Sequence, residues 1–340
     1  MFQVFNLFLY NFRTMLKNKF KWKKLNKPFT VLAPMEDVTD IVFRQVVSRA
    51  SRPDVFFTEF TNVEGLQSKE GYKKVSERLK YEPKERPIIA QIWGITPENY
   101  YNSTKEVIKR GFDGVDINMG CPIKSVVKKG ACSALINNHK LAERIIKAVK
   151  DASKGKIEVS VKTRIGFKTD QSGEWFNFLL KQDIDALTIH ARTVKDLSKV
   201  PAKWVKIEKA VEIRDSLNKK TVIIGNGDID ETKKIFEYSK KYGCEGIMIG
   251  RGVFKNLFIF DKNIDFDDLG ALEKLDFLEY HLSLYLKYKG EKAPIYPLRK
   301  FFKIYLRGFK EANKIRQNLM EAKTYNELQE KIKKLKRQYA

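Results

Sequence analysis

Short apolar runs alternate with longer amphipathic stretches eight times between residues 29 and 255. Apolar runs of this kind are typical of parallel strands whose sheet is covered on both faces. Eight strand–helix units in roughly 230 residues match the size of a closed (β/α)8 TIM barrel, whereas a doubly wound open sheet, the alternative, would not normally need eight strands. The predicted strands are Phe29–Ala33, Val55–Thr58, Ile88–Ile92, Gly114–Asn118, Glu158–Thr163, Ala186–His190, Val222–Asn226 and Gly246–Ile249.

The pattern changes near residue 262, where the strand signals end. We therefore expect an α/β barrel at residues 29–262 and a smaller C-terminal α-helical domain at residues 263–340, after an N-terminal extension at residues 1–28. The apolar opening of the extension is too short to cross a bilayer and lacks the cleavage site of a signal peptide. The helices predicted for the C-terminal domain are Asp276–Lys289, Pro297–Lys310 and Tyr325–Gln338.

The charge balance is strongly basic, with 66 Lys and Arg against 42 Asp and Glu and a formal net charge of +24. Such an excess suits a polyanionic partner such as nucleic acid, but a lysine-rich genome would produce the same balance. Cys121, Cys132 and Cys244 are odd in number and show no metal-ligand spacing, which indicates a reducing compartment without a disulfide framework. We expect a cytoplasmic monomer without a metal site.

The turn after the fourth predicted strand carries the strongest chemical signal, in Asn118-Met119-Gly120-Cys121-Pro122. Gly120 permits a tight backbone path, and Pro122 fixes the exit from it. The thiol of Cys121 would therefore be held, exposed, at the mouth of the barrel rather than inside an apolar run. A thiol with the ordinary pKa near 8.5 stays mostly protonated at neutral pH and can act as a general acid.

Nearly every other predicted strand also ends in polar or conformationally special residues, and barrel enzymes place their chemistry at these ends. The glycine-rich turns Asn226-Gly227-Asp228 and Gly250-Arg251-Gly252 favour a phosphate site, although they could serve only as tight turns. Lys162 lies near the end of an apolar strand, where an ammonium needs an anion or an electron-rich ring to face.

Further polar side chains surround the same opening. Gln91 and Asn118 would offer amide groups to the edge of a heterocycle, and His190 and Arg192 complete the ring. The chain holds no GxGxxG motif after a strand, no Walker loop, no HExxH and no CxxC pair. A barrel with a terminal phosphate site, a lysine near a ring and a thiol fits an enzyme that uses flavin mononucleotide, FMN.

Seven motifs, in order from residue 29 to 255, resemble the tRNA-dihydrouridine synthases. The helical, basic tail is similar to the tRNA-binding domain of that family. The motifs are Ala33-Pro34-Met35 with Val38-Thr39-Asp40 and Phe43-Arg44, Asn118 to Pro122, Gly130-Ala131 with Ala134-Leu135, Val161-Lys162-Thr163-Arg164, His190-Ala191-Arg192-Thr193, Asn226-Gly227-Asp228-Ile229 and Gly250-Arg251-Gly252.

This resemblance implies an FMN enzyme that reduces a uridine of tRNA to 5,6-dihydrouridine with NADPH, by hydride transfer from flavin N5 to C6 while Cys121 protonates C5. It also implies that Asn118, Arg164 and Arg192 lie near the target base. The loop at 195–204 departs from the family pattern, because it lacks an aromatic residue and an aspartate that are common there. The residues that the resemblance assigns to FMN are Pro34, Met35, Glu36, Gln91, Lys162, His190, Asn226, Gly227, Asp228, Gly250 and Arg251.

The tail offers basic residues at roughly helical spacing, interleaved with aromatic residues that we expect to pack inward. Two other functions stay open: an FMN barrel that acts on a small molecule, like dihydroorotate dehydrogenase or an ene-reductase, and a non-catalytic RNA-binding protein. Neither explains both the basic tail and the polar rim. The predicted RNA-binding residues are Arg299, Lys300, Lys303, Arg307, Lys310, Lys314 and Arg316, and the inward aromatic residues are Phe301, Phe302, Tyr305 and Phe309.

Overall fold

A computed structural model describes residues 19–339, and within them nine strands form one parallel sheet, which confirms the predicted barrel. The strands β2 and β3 both pair with β4 and share one position, so the sheet has eight positions. The strands are β1 (Phe29–Leu32), β2 (Phe56–Phe57), β3 (Thr61–Asn62), β4 (Ile88–Trp93), β5 (Gly114–Met119), β6 (Glu158–Arg164), β7 (Ala186–His190), β8 (Val222–Asn226) and β9 (Gly246–Ile249).

The barrel closes through its first strand. β1 pairs with β9 on one side, and on the other side a parallel bridge joins Val31 to Val55. The predicted second strand is interrupted at Thr58, because its hydroxyl group, rather than a backbone carbonyl, accepts the hydrogen bond from Gln91 N (3.2 Å).

Helices follow the strands and cover the outer face of the sheet, as the alternating pattern predicts. No helix within residues 19–339 is long and apolar enough to cross a membrane. The α-helices are α1 (Ile41–Ala50), α2 (Val63–Leu66), α3 (Lys69–Ser76), α4 (Pro97–Lys109), α5 (Lys124–Val127), α6 (His139–Ser153), α7 (Ser172–Leu180), α8 (Val205–Ser216), α9 (Lys233–Tyr242), α10 (Gly252–Lys255), α11 (Ala271–Lys289), α12 (Phe302–Tyr305), α13 (Ala312–Met320) and α14 (Tyr325–Tyr339).

The segment before β1 covers the N-terminal end of the barrel. Trp22 is fully buried in an apolar cluster with residues at the strand starts, including Phe29 and Val222. Its backbone N–H donates to Glu158 (3.2 Å), and Lys21 forms an ion pair with the same carboxylate. Residues 19–28 of the predicted extension therefore pack on the barrel, and Trp22 belongs to its core. Residues 1–18, including the apolar opening, lie outside the described residues.

The C-terminal helices pack against α1 through an apolar core that is continuous with the barrel. The ring of Phe301 stacks on Phe43 with 5.0 Å between the centroids. The prediction that the tail aromatics point inward is confirmed for Phe301, Phe302 and Tyr305, which are buried, and Phe309 is half-buried.

The prediction of one helix in the tail is wrong. Instead of a continuous helix over Pro297–Lys310, the chain forms a 3-10 helix at Tyr296–Phe301 and the single turn α12, which ends at Tyr305. Gly308 then adopts a φ of +73°, a left-handed conformation that an α-helix does not contain. The basic residues at 310, 314 and 316 therefore do not share a helix face with those at 299–307.

Candidate active site

A cavity of about 560 Å³ opens at the C-terminal ends of the barrel strands. Its walls come from the turns after β1, β7, β8 and β9, together with side chains from β6 to β9. The structure brings nine of the eleven residues that were predicted to hold FMN to this one cavity. They are Pro34, Met35, Lys162, His190, Asn226, Gly227, Asp228, Gly250 and Arg251.

The turn after β8 is held in shape by Trp204, which the sequence analysis did not single out. Its indole N–H donates to Gly227 O (2.9 Å), and its ring lies so close to Gly225 that an added Cβ would meet it at 2.3 Å. Gly227 itself adopts a φ of +133°. The tryptophan at the end of the loop after β7 was the signal that would have revealed this contact.

The cavity wall is rich in cations. Lys162, Arg251 and Lys255 line it, and Lys162 Nζ donates to Asn226 Oδ1 (3.2 Å). Burial, together with the neighbouring Arg164 guanidinium, lowers the pKa of Lys162 to about 8. An anionic or electron-rich ligand would therefore stabilise the ammonium form of Lys162.

His190 is neutral in this setting. Burial holds its pKa well below the ordinary range, and the surrounding Arg164, Lys162 and Arg192 act in the same direction. Arg192 Nη1 lies 3.1 Å from His190 Nε2, and since a guanidinium only donates, Nε2 is the acceptor. The remaining ring proton is therefore on Nδ1.

Arg192 was predicted to lie near the substrate base, but the structure places it in the wall of the cavity that was predicted for the cofactor. The side chain is buried, pairs with the Asp228 carboxylate and donates to Val200 O. Arg251 approaches the same carboxylate at 3.6 Å. Arg192 thus joins the loop after β7 to the turn after β8.

The Cys121 turn lies beside this cavity, because Asn118 on β5 is opposite Lys162 on β6 in the strand register. Asn118 Oδ1 accepts hydrogen bonds from the N–H groups of Gly120 and Cys121, both at 3.0 Å. Arg164 Nε donates to Gly120 O (2.8 Å) and closes the turn from the other side. Two of the predicted substrate residues therefore hold the backbone that carries the thiol.

The Cys121 thiol differs from the prediction in both its exposure and its pKa. Cys121 is only 9% exposed, and the Cys132 thiol, a contact eleven residues along the chain, forms a hydrogen bond with it. The pKa of Cys121 is lowered to about 7, mainly by this hydrogen bond and in smaller part by the Arg164 guanidinium. The predicted ordinary pKa near 8.5 is therefore wrong, and Cys132, to which the sequence assigned no role, is the main reason.

Two predicted cofactor residues lie outside the cavity wall. Gln91 Nε2 donates to Asp116 inside the barrel (2.7 Å), and Glu36 forms an ion pair with Arg78. Beside Glu36, the buried carboxylate of Glu59 accepts a hydrogen bond from Asp37 N (2.6 Å). Burial, assisted by nearby carboxylates, raises the pKa of Glu59 to about 7.

The predicted RNA-binding residues divide into two groups. Arg299 donates to Ala322 O (3.0 Å) and Arg316 to Leu306 O (3.2 Å), so both guanidinium groups hold the tail together. Arg307 is half-buried beside Asp267. The exposed members of the set are Lys300, Lys303, Lys310 and Lys314.

Comparison with known proteins places this geometry in a family. Residues 31–340 match the family model described as dihydrouridine synthase. A probable tRNA-dihydrouridine synthase from Staphylococcus aureus (strain COL) is 46% identical over 308 residues, which cover 90% of this chain and 92% of that protein. The probable tRNA-dihydrouridine synthase 2 of Bacillus subtilis (strain 168) is 45% identical over 320 residues, covering 94% and 97%.

Among solved structures, histamine dehydrogenase from Rhizobium sp. 4-9 superposes with a TM-score of 0.54 at 10% identity, covering 75% of this chain and 49% of that one. This similarity concerns the barrel fold alone. The family match and the relatives extend over both the barrel and the helical tail. The chain belongs to the dihydrouridine synthase family, whose members are flavin-dependent oxidoreductases.

Proposed function

We propose that this protein reduces one uridine of tRNA to 5,6-dihydrouridine in the cytoplasm, with FMN at the barrel mouth and NADPH as the reductant. The observation that carries the proposal is the juxtaposition of the cationic cavity and the Cys121 turn. Asn118 and Lys162 are opposite each other in the register of β5 and β6, and Cys121 follows Asn118 by three residues.

The cavity fits FMN in size and in chemistry. Its volume of about 560 Å³ lies within the range of small-molecule sites. The glycine turns at 227 and 250 bring backbone close to the opening, and Arg251 and Lys255 add cations for a phosphate. Lys162 would stabilise negative charge on a reduced ring, because it is a partly buried ammonium group fixed by Asn226.

When bound in this cavity, a reduced flavin would supply the hydride for C6 of the base. The proton for C5 would come from the Sγ of Cys121, which the amide of Asn118 and the guanidinium of Arg164 hold in place. With a pKa of about 7, roughly half of the thiol is protonated at neutral pH and available as a general acid.

The target base must leave its stack in folded tRNA to reach this site, and extrusion costs a few kcal/mol. Contacts to phosphates elsewhere have to offset that cost. The exposed lysines of the tail, at 300, 303, 310 and 314, are the cations that we assign to this task.

The test is mass spectrometry of tRNA from cells that lack this protein, mapped for uridines heavier by two hydrogen atoms. We expect dihydrouridine to disappear at one or a few positions and to return with the wild type but not with Cys121→Ala. Cys244→Ala is the matched control, since this buried cysteine lies two residues before β9, at the end of the barrel away from the cavity. An unchanged map would contradict the proposal and direct the assay to free pyrimidines.

A further inference from the structure

A buried carboxylate lies directly beneath the candidate active site. Asp116 occupies the middle of β5, has no exposed surface and is flanked by β4 and β6. It accepts a hydrogen bond from Gln91 Nε2 (2.7 Å) and another from Ser160 Oγ (2.6 Å). The sequence signal for it was an acid inside an apolar strand, two residues before Asn118 and so on the same face.

This carboxylate imposes a direction on the hydrogen bonds that follow. Burial raises the pKa of Asp116 to about 6, so above that pH the group is mostly an ionised carboxylate. An ionised carboxylate only accepts, so Gln91 must turn its NH2 group toward Asp116. The carbonyl oxygen of Gln91 then faces Asn118, whose Nδ2 donates to it (2.9 Å). Asn118 Oδ1 is left to accept from the N–H groups of Gly120 and Cys121. The side-chain amides of Gln91 and Asn118 therefore each have one allowed orientation, because the Asp116 carboxylate at the start of this hydrogen-bonded series cannot donate.

The same carboxylate places a negative charge next to Lys162. Asp116, Asn118, Ser160 and Lys162 alternate along β5 and β6 and therefore point into the barrel interior. The other charged or titratable groups that act on Lys162 are Arg164 on its own strand and Cys121 on the turn after β5, while His190 on β7 is held neutral.

A barrel interior does not need such a group for stability. A buried carboxylate costs free energy even when it is hydrogen-bonded, and an apolar side chain would fill the layer at lower cost, as Ile89 and Ile224 do in the same interior. The hydrogen-bonded series Asp116, Gln91 and Asn118 therefore indicates a role in the candidate active site rather than in stability.

We propose that Asp116 is the positioning residue of the active site: its carboxylate sets the orientation of Gln91, Asn118 and the Cys121 turn, and it supports the charge of Lys162. This inference rests on the proposed reduction of tRNA uridine. Asp116 touches neither cofactor nor substrate in this scheme, and its effects pass through Asn118 and Lys162.

Two variants and one control test the proposal in the full-length flavoprotein. Asp116→Asn keeps the shape but allows either amide orientation, and Asp116→Leu removes both acceptors. Ile224→Val is the control, because it changes an apolar side chain of the same barrel interior on β8 and removes no member of the hydrogen-bonded series. Reoxidation of the NADPH-reduced flavin by tRNA is measured in single turnover at pH 7.5, where Asp116 is ionised, next to flavin reduction by NADPH.

We expect tRNA-dependent reoxidation to fall about 10-fold in Asp116→Asn and about 100-fold in Asp116→Leu, while flavin reduction in both variants, and both half-reactions in Ile224→Val, stay within about 3-fold of the wild type. A double-mutant cycle gives the specific readout. Asp116→Asn added to Asn118→Ala should cost less than a further 3-fold, because both changes break the same chain. A full additive loss would overturn the positioning role, and so would equal losses in both half-reactions.

Flavin binding gives a second readout that needs no tRNA. The affinity of the wild type for FMN should fall as the pH rises through about 8, where Lys162 loses its proton. In Asp116→Asn this fall should move to lower pH by about one unit, since a stabilising negative charge is gone. If the pH dependence of FMN affinity is the same in Asp116→Asn as in the wild type, the proposal that Asp116 supports the charge of Lys162 is overturned. If tRNA fails to reoxidise even the wild type, the proposed function fails, while the flavin titration still decides the inference for Lys162.

Discussion

Replacing Cys132 with alanine should change the pH at which this enzyme works, although Cys132 touches the site only through Cys121. The Cys132 thiol donates a hydrogen bond to Cys121 and is the largest cause of the lowered pKa there. Burial raises the pKa of Cys132 well above its ordinary range, so Cys132 stays protonated and keeps donating. Without this donor, the pKa of Cys121 must rise.

The size of the effect follows from the titration. A pKa of about 7 leaves about one tenth of Cys121 as thiol at pH 8. If the variant moves the pKa to about 8, half of the thiol is protonated at that pH, and the proton-donating step runs about five times faster. Below pH 6 the two proteins should be equal, because the thiol is protonated in both.

Two measurements check this. Alkylation of Cys121, followed by mass spectrometry of its peptide, reports the thiolate and should rise with pH about one unit later in Cys132→Ala than in the wild type. Reoxidation of the reduced flavin by tRNA reports the thiol and should fall about one unit later. Cys132→Ser is the matched control, because its hydroxyl still donates and should keep both profiles near those of the wild type.

The reasoning is refuted if Cys132→Ala alkylates with the wild-type pH profile. It is refuted for catalysis alone if the alkylation profile moves while the reoxidation profile does not, since Cys121 would then not supply the proton in the measured step.

Three further predictions follow from other parts of the molecule. Trp22→Ala should destabilise the fold by about 3–5 kcal/mol in urea unfolding, because the indole is fully buried beneath the barrel; a loss below about 1 kcal/mol would contradict its role in the core. Glu59→Gln should stabilise the protein above pH 7 by about 3 kcal/mol and leave it unchanged below pH 4. The pKa of Glu59 is about 7 in the folded protein and near its ordinary value in the unfolded chain, so ionisation of Glu59 costs stability as the pH rises between these two values. Parallel stability–pH curves for the two proteins would count against this. Charge reversal of Lys303, Lys310 and Lys314 should weaken tRNA binding and flatten its salt dependence. As the control, reversal of the exposed Lys154, Lys156 and Lys220 at the opposite end of the barrel should weaken binding far less. Equal effects of the two triple variants would assign the binding to net charge alone.

Much of the site could be read from local sequence. The apolar runs set the strands, and parallel strands in a barrel bring their C-terminal ends to one edge, so the turns at 118–122, 226–228 and 250–252 had to meet there. The tail was harder, because spacing alone predicted one helix across Gly308. The left-handed turn at that glycine separates the basic residues at 299–307 from those at 310–316.

The sequence by itself therefore determined the barrel and the identity of the residues around its mouth, since both depend on patterns within a few residues of each strand end. Only the tertiary structure decided how those residues behave. The lowered pKa of Cys121 comes from Cys132 across a turn, the orientation of Asn118 comes from Asp116 through β4, and Trp22 enters the core from before β1. Each of these depends on the distance between atoms that are remote in the chain, and strand register and packing set that distance.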